Sequence, residues 1–86
     1  MNASDVIFYP LMTESASLMV EKDNKLLFAV NKKAGKSDIK RAVEELYEVK
    51  VDRITVLTTP QGEKKAFVRL KPEFRASDVA IKLGIL

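Results

Sequence analysis

Apolar residues recur along the chain with two periods, and each stretch reads as one element. The helical period is clearest at 39–47. There Ile39, Ala42, Val43, Leu46 and Tyr47 fall at i, i+3, i+4, i+7 and i+8 and make one continuous apolar face. Gly35 or Ser37 is placed to cap this helix, and Lys40, Arg41, Glu44, Glu45 and Glu48 cover its solvent side. A weaker stripe, Ala16, Met19 and Val20, predicts a helix over 13–22. Thr13 is its N-cap, Glu14 complements the dipole in its first turn, and Asp23-Asn24 ends it. Ser77-Asp78 starts a last short helix that runs through Val79, Ala80 and Leu83 and stops at Gly84.

The alternating period marks the strands. In 25–31, Leu26, Phe28 and Val30 point one way and Lys25, Leu27, Ala29 and Asn31 the other. The stretch 49–59 is β-branched without a helical stripe and reads as a long strand. Pro60-Gln61-Gly62 is a turn signal, and 64–71 returns as the second arm of a hairpin until Pro72. Its Ala66, Val68 and Leu70 share one face, and Lys65, Phe67, Arg69 and Lys71 the other. A short apolar segment at 7–11 precedes all of these. The order is β(short)-α-β-α-β-β-α, which predicts an α+β fold, an antiparallel β-sheet with helices packed on it. No internal repeat interrupts it.

A sheet of this kind needs one covered face. Ile39, Val43 and Leu46 are expected to bury against Leu26, Phe28, Val30, Ile54, Val56, Ala66, Val68 and Leu70. The opposite face is then left to Asn31, Arg53, Thr55, Lys65, Phe67, Arg69 and Lys71, a cationic set with one aromatic. Lys and Arg neutralise phosphates, and an aromatic ring can stack an unpaired base, so one reading is an RNA platform. The other is a solvated face whose charges protect the sheet from edge pairing. Phe67 and Leu57 weigh toward the first, because a freely solvated face has no use for them.

Composition narrows the field. With 86 residues, one domain spanning 1–86 is expected. The net charge of +3 says little, but the cations are segregated. Lys32, Lys33, Lys36, Lys40 and Arg41 lie close together, as do Lys64, Lys65, Arg69, Lys71 and Arg75. The loop 32–36 is basic, contains a glycine and precedes a helix, which suits phosphate binding. There is no His and no Cys, so the commonest general base, the usual zinc sites and disulfides are excluded. Glu44 and Glu45 are adjacent on a helix and point apart. Thr13, Ser15 and Ser17 have no base beside them in the sequence pattern. The chain is therefore not expected to be an enzyme, nor to carry a metal or cofactor. No apolar run is long enough to span a membrane, and Met1 to Pro10 does not read as a signal peptide.

Three stretches carry a family resemblance. Tyr9-Pro10-Leu11-Met12-Thr13-Glu14-Ser15-Ala16 is the first. Ala34 to Val51, with Ile39-Lys40-Arg41-Ala42-Val43-Glu44 and Tyr47-Glu48-Val49-Lys50-Val51 inside it, is the second. Lys64-Lys65-Ala66-Phe67-Val68-Arg69-Leu70-Lys71 with Val79 beyond is the third. In order and spacing they resemble the universal large-subunit ribosomal protein family twenty-three across nearly the whole chain. Ser15 stands where that family usually has Lys, and Thr55-Val56 where Asn-Thr is frequent. The turn 59–63 lacks the long basic hairpin extension of bacterial members, and the eukaryotic N-terminal extension is missing, so the compact form resembles archaeal members.

The resemblance implies a cytoplasmic ribosomal protein that binds large-subunit rRNA at the rim of the peptide exit tunnel, beside neighbouring ribosomal proteins. It also implies a docking surface for nascent-chain factors such as the signal recognition particle or the translocon, with Glu14 at the position of the family's docking glutamate. The residues expected on RNA are Lys32, Lys33, Lys36, Lys40, Arg53, Thr55, Lys64, Lys65, Phe67, Arg69 and Lys71. A monomer without membrane insertion is expected off the ribosome. The alternative is a single-stranded RNA module of the RRM type, which Ala66-Phe67-Val68-Arg69-Leu70 resembles in part. Lys64 and Lys65, however, stand where that signature needs Gly and a stacking aromatic.

Overall fold

Residues 2–84 are described by a computed structural model. The elements are α1 (Ala3–Val6), β1 (Ile7–Pro10), α2 (Glu14–Lys22), β2 (Lys25–Val30), α3 (Lys36–Tyr47), β3 (Val51–Thr58), β4 (Lys64–Leu70) and α4 (Ala76–Lys82). The fold is α+β, with a four-stranded sheet in the order β1-β2-β4-β3 and every neighbouring pair antiparallel. β4 slots between β2 and β3, so the β2-α3-β3 unit is split rather than adjacent. Helix α1 is absent from the sequence reading, because four residues are too few to show a period.

Local chemistry sets the boundaries. Thr13 Oγ1 accepts from Ala16 N–H at 3.1 Å and starts α2. Gly35 is the N-cap of α3, and its N–H donates to Asp38 Oδ2 at 3.0 Å. Helix α3 ends at Glu48, which lies in the left-handed region with φ 55°. The hairpin closes through Thr59 N–H to Glu63 O at 2.8 Å and Gly62 N–H to Thr59 O at 2.9 Å, with Gly62 at φ +84°.

The core lies on one side of the sheet. Leu26, Phe28 and Val30 of β2 and Ala66, Val68 and Leu70 of β4 meet Ile39, Ala42 and Val43 of α3. Val6, Val20, Ala76, Val79 and Ala80 join from the other helices. Phe28 and Tyr47 stack with centroids 5.6 Å apart and planes 12° from parallel. Burial pushes the Tyr47 hydroxyl above its ordinary pKa.

Four side chains depart from expectation. Leu46 remains 43 % exposed, because in the last turn of α3 Tyr47 takes the inward contact. An apolar stripe gives direction but not what stands opposite it. Glu44, expected on the solvent side, is half-buried, and its Oε2 accepts from Val51 N–H at 2.9 Å to hold the start of β3. Asn31, expected on the open face, lies past the end of β2 and closes a turn. Its Oδ1 accepts from Lys33 N–H at 2.9 Å and its Nδ2 donates to Asp5 O at 3.1 Å. Lys71 likewise lies past the end of β4, where its N–H donates to Lys50 O.

Candidate nucleic-acid interface

Register builds the open face from pairs the sequence keeps apart. Lys25 pairs with Arg69, and Arg69 with Arg53, so three cations stand side by side on consecutive strands. Strand neighbours are about 4.8 Å apart, and like charges directly opposite destabilise a sheet. One carboxylate approaches this row: Asp52 Oδ2 lies 3.9 Å from Arg69 Nε, and both side chains are more than half exposed. An exposed pair at that distance contributes little. The row therefore carries a net positive charge suited to a polyanion.

The next row is Leu27, Phe67 and Thr55, and the one beyond it is Tyr9, Ala29, Lys65 and Leu57. Cations thus flank an apolar and aromatic strip, with Phe67 half-buried in its centre. Phosphates on the cations and bases on the strip is the arrangement that single-strand binders use.

The remaining basic residues distribute differently. Lys36 and Lys40 of α3 line a groove of about 160 Å³ with Val51, Asp52, Arg53 and Ile54, so they meet the cationic row around the β3 edge. Lys33 is exposed on the loop. Lys32 reaches the hairpin, where a Cβ on Gly62 would stand 3.3 Å from its Nζ. Lys64 pairs with Val30 and Thr58, in step with the buried Ala66 and Val68, and its Nζ donates to Ala34 O. Lys64 thereby braces the basic loop and stands apart from the open face. Lys71 is exposed beyond the end of β4. Glu14 is exposed in the first turn of α2, an element of the helical layer and apart from the cationic row.

Sequence reasoning missed Lys25. Its parity with Leu27 and Ala29 was visible, but its place beside Arg69 depends on the β2-β4 register. Among the described residues no three Asp, Glu, His or Cys side chains gather to hold a metal, and no helix is long and apolar enough to cross a membrane.

The family model described as Ribosomal protein L23 matches residues 5–79, nearly all of the described fold. The chain belongs to the ribosomal protein L23 family. The large ribosomal subunit protein uL23 of the archaeon Methanococcus aeolicus is 47% identical over 85 residues, which cover 99% of each chain. The L23 family is one of ribosomal structural proteins and is not an enzyme class. The short hairpin turn at 59–63 and the full-length match to an archaeal relative agree with the compact form read from the sequence.

Proposed function

We propose that this L23-family chain acts as one RNA-binding domain of the large ribosomal subunit, in the cytoplasmic ribosome. It binds large-subunit rRNA near the peptide exit tunnel through the open sheet face. The observation that carries the reading is the row Lys25, Arg69 and Arg53 on three consecutive strands, a like-charge alignment whose repulsion a polyanion relieves. The groove bearing Lys36 and Lys40 extends the same charge around the β3 edge. Lys32, Lys33, Lys64 and Lys71 supply further positive charge near RNA without forming part of the row. The function is binding without turnover.

The exposed carboxylate of Glu14 serves as a docking point for nascent-chain factors such as the signal recognition particle. Its position on the helical layer leaves it accessible while the sheet holds RNA. Other ribosomal proteins are its neighbours in the subunit.

The test is a titration against large-subunit rRNA fragments and a length-matched random RNA at several salt concentrations. One fragment should bind tightly, the random RNA weakly, and log K should fall linearly with log salt. Lys65→Ala and Arg69→Ala should each reduce the magnitude of that slope by about 1. Equal, weak binding to both RNAs would refute the reading. In the same assay Phe67→Ala should cost less than the cation variants do together. Loss of most affinity with Phe67→Ala alone would favour an RRM-type stacking module instead.

A further inference from the structure

Strand β1 carries a register shift. Ile7 pairs with Val30 and Tyr9 with Ala29, so two steps on β1 answer one on β2 and Phe8 is the extra residue. A bulge breaks the alternation and re-aims the side chain at that point. Phe8 and Tyr9 are 56 % and 53 % exposed, and both line a single depression of about 230 Å³. Ala29, Val30, Lys32, Glu63 and Lys64 complete its lining. Among the described residues, these two are the aromatic side chains left exposed. This edge strand is blunted by its shortness, by Pro10 and by the bulge, and it presents two aromatic rings where charge is the common alternative.

The lining specifies an occupant. Its volume is below the roughly 300 Å³ of a drug-sized ligand site, which suits one flat ring system rather than a base pair. Two exposed aromatic side chains call for a π-surface, and two lysines in the lining call for an attached anion. The Lys32 ammonium lies beside the turn at Gly62, and that of Lys64 is fixed by its bond to Ala34 O with two protons left to donate. Glu63 is an acceptor in the lining, suited to an amino edge rather than to a phosphate.

We propose that this depression takes a single unstacked nucleobase of the rRNA. The base packs on Phe8 and Tyr9, and Lys32 and Lys64 face its phosphates. The inference rests on the rRNA-binding reading above and adds a base subsite at the β1 edge, separate from the cationic row.

The experiment uses the full chain bound to transcribed large-subunit rRNA. Short-wave ultraviolet irradiation, followed by mass spectrometry of the linked peptides, should place a crosslink on Phe8 or Tyr9 to an unpaired nucleotide. The Phe8→Ala/Tyr9→Ala double variant should lose about tenfold or more in affinity, whereas Tyr9→Phe should remain within about twofold of wild type. The salt slope should stay unchanged in both, since no charge is removed. Circular dichroism checks folding, and if the double variant does not fold, the wild-type crosslink decides alone. Specific wild-type binding with no crosslink at either residue, or with undiminished affinity in the folded double variant, would overturn the subsite and leave the rRNA reading standing. Absence of specific wild-type binding would overturn both, and it is seen before any variant is made.

Discussion

Asn24 sits between α2 and β2 at φ 55°, a conformation that asparagine tolerates better than most residues. Its Nδ2 donates to Phe74 O at 2.8 Å and to Leu70 O at 3.2 Å, and its Oδ1 accepts from Ala76 N–H at 2.6 Å. One side chain therefore ties the start of β2 to the end of β4 and to the first turn of α4. Sequence reading gives Asn24 only the role of ending a helix, because its partners lie about fifty positions away. Asn24→Ala leaves two carbonyls and an amide without these partners. It should lower the unfolding free energy by roughly 2 kcal/mol, read from denaturant midpoints. A loss of a few tenths would mean that water replaces the side chain at no cost.

At the scale of elements, most boundaries follow from local chemistry. Thr13 caps α2 and Gly35 caps α3, and alternation sets the faces of β2 and β4. The end of α3 is different, because an exposed glutamate occupies a left-handed position where glycine carries no steric penalty. Glu48→Gly should therefore stabilise the protein by about 0.5–1 kcal/mol, the relieved Cβ strain less the added freedom of the unfolded chain. Glu48→Ala removes the same charge but retains the strain, so it should bring no comparable gain in a thermal or denaturant melt. Equal gains from both would assign the effect to charge. The bulge in β1 and the helix α1 before it escape any periodic analysis, since both are shorter than the period that would reveal them.

The whole molecule presents two different sides. The helical layer covers one face of the sheet and carries Glu14, and the open face carries the cationic row. Separation by a packed core predicts independence. Glu14→Lys should leave rRNA affinity within about twofold of wild type, as expected for sites without shared partners. In reconstituted subunits the same variant should weaken signal recognition particle binding by about tenfold, the cost of reversing one charge against a basic partner. Unchanged factor binding would remove Glu14 from the docking surface. The candidate site was legible in part for the same reason. Lys65, Phe67, Arg69, Arg53 and Thr55 could be placed on one face by alternation alone. Alternation puts Lys64 in step with Ala66 and off that face, but its brace to a distant loop was not legible, and Lys71 could not be set apart because it lies past a strand end.

The sequence by itself determined the helix and strand segments other than α1, the apolar side of the longer ones, the family, and the lack of His and Cys chemistry. All of these depend on residue type and short-range spacing, since 3.6-residue and 2-residue periods act within a single element. Only the tertiary structure decided that Lys25 stands beside Arg69 and Arg53. It also decided that Lys36 and Lys40 meet them at an edge, that Leu46 stays exposed, and that Phe8 and Tyr9 share one depression. Those facts depend on strand order and register, which bring together residues that no local pattern relates.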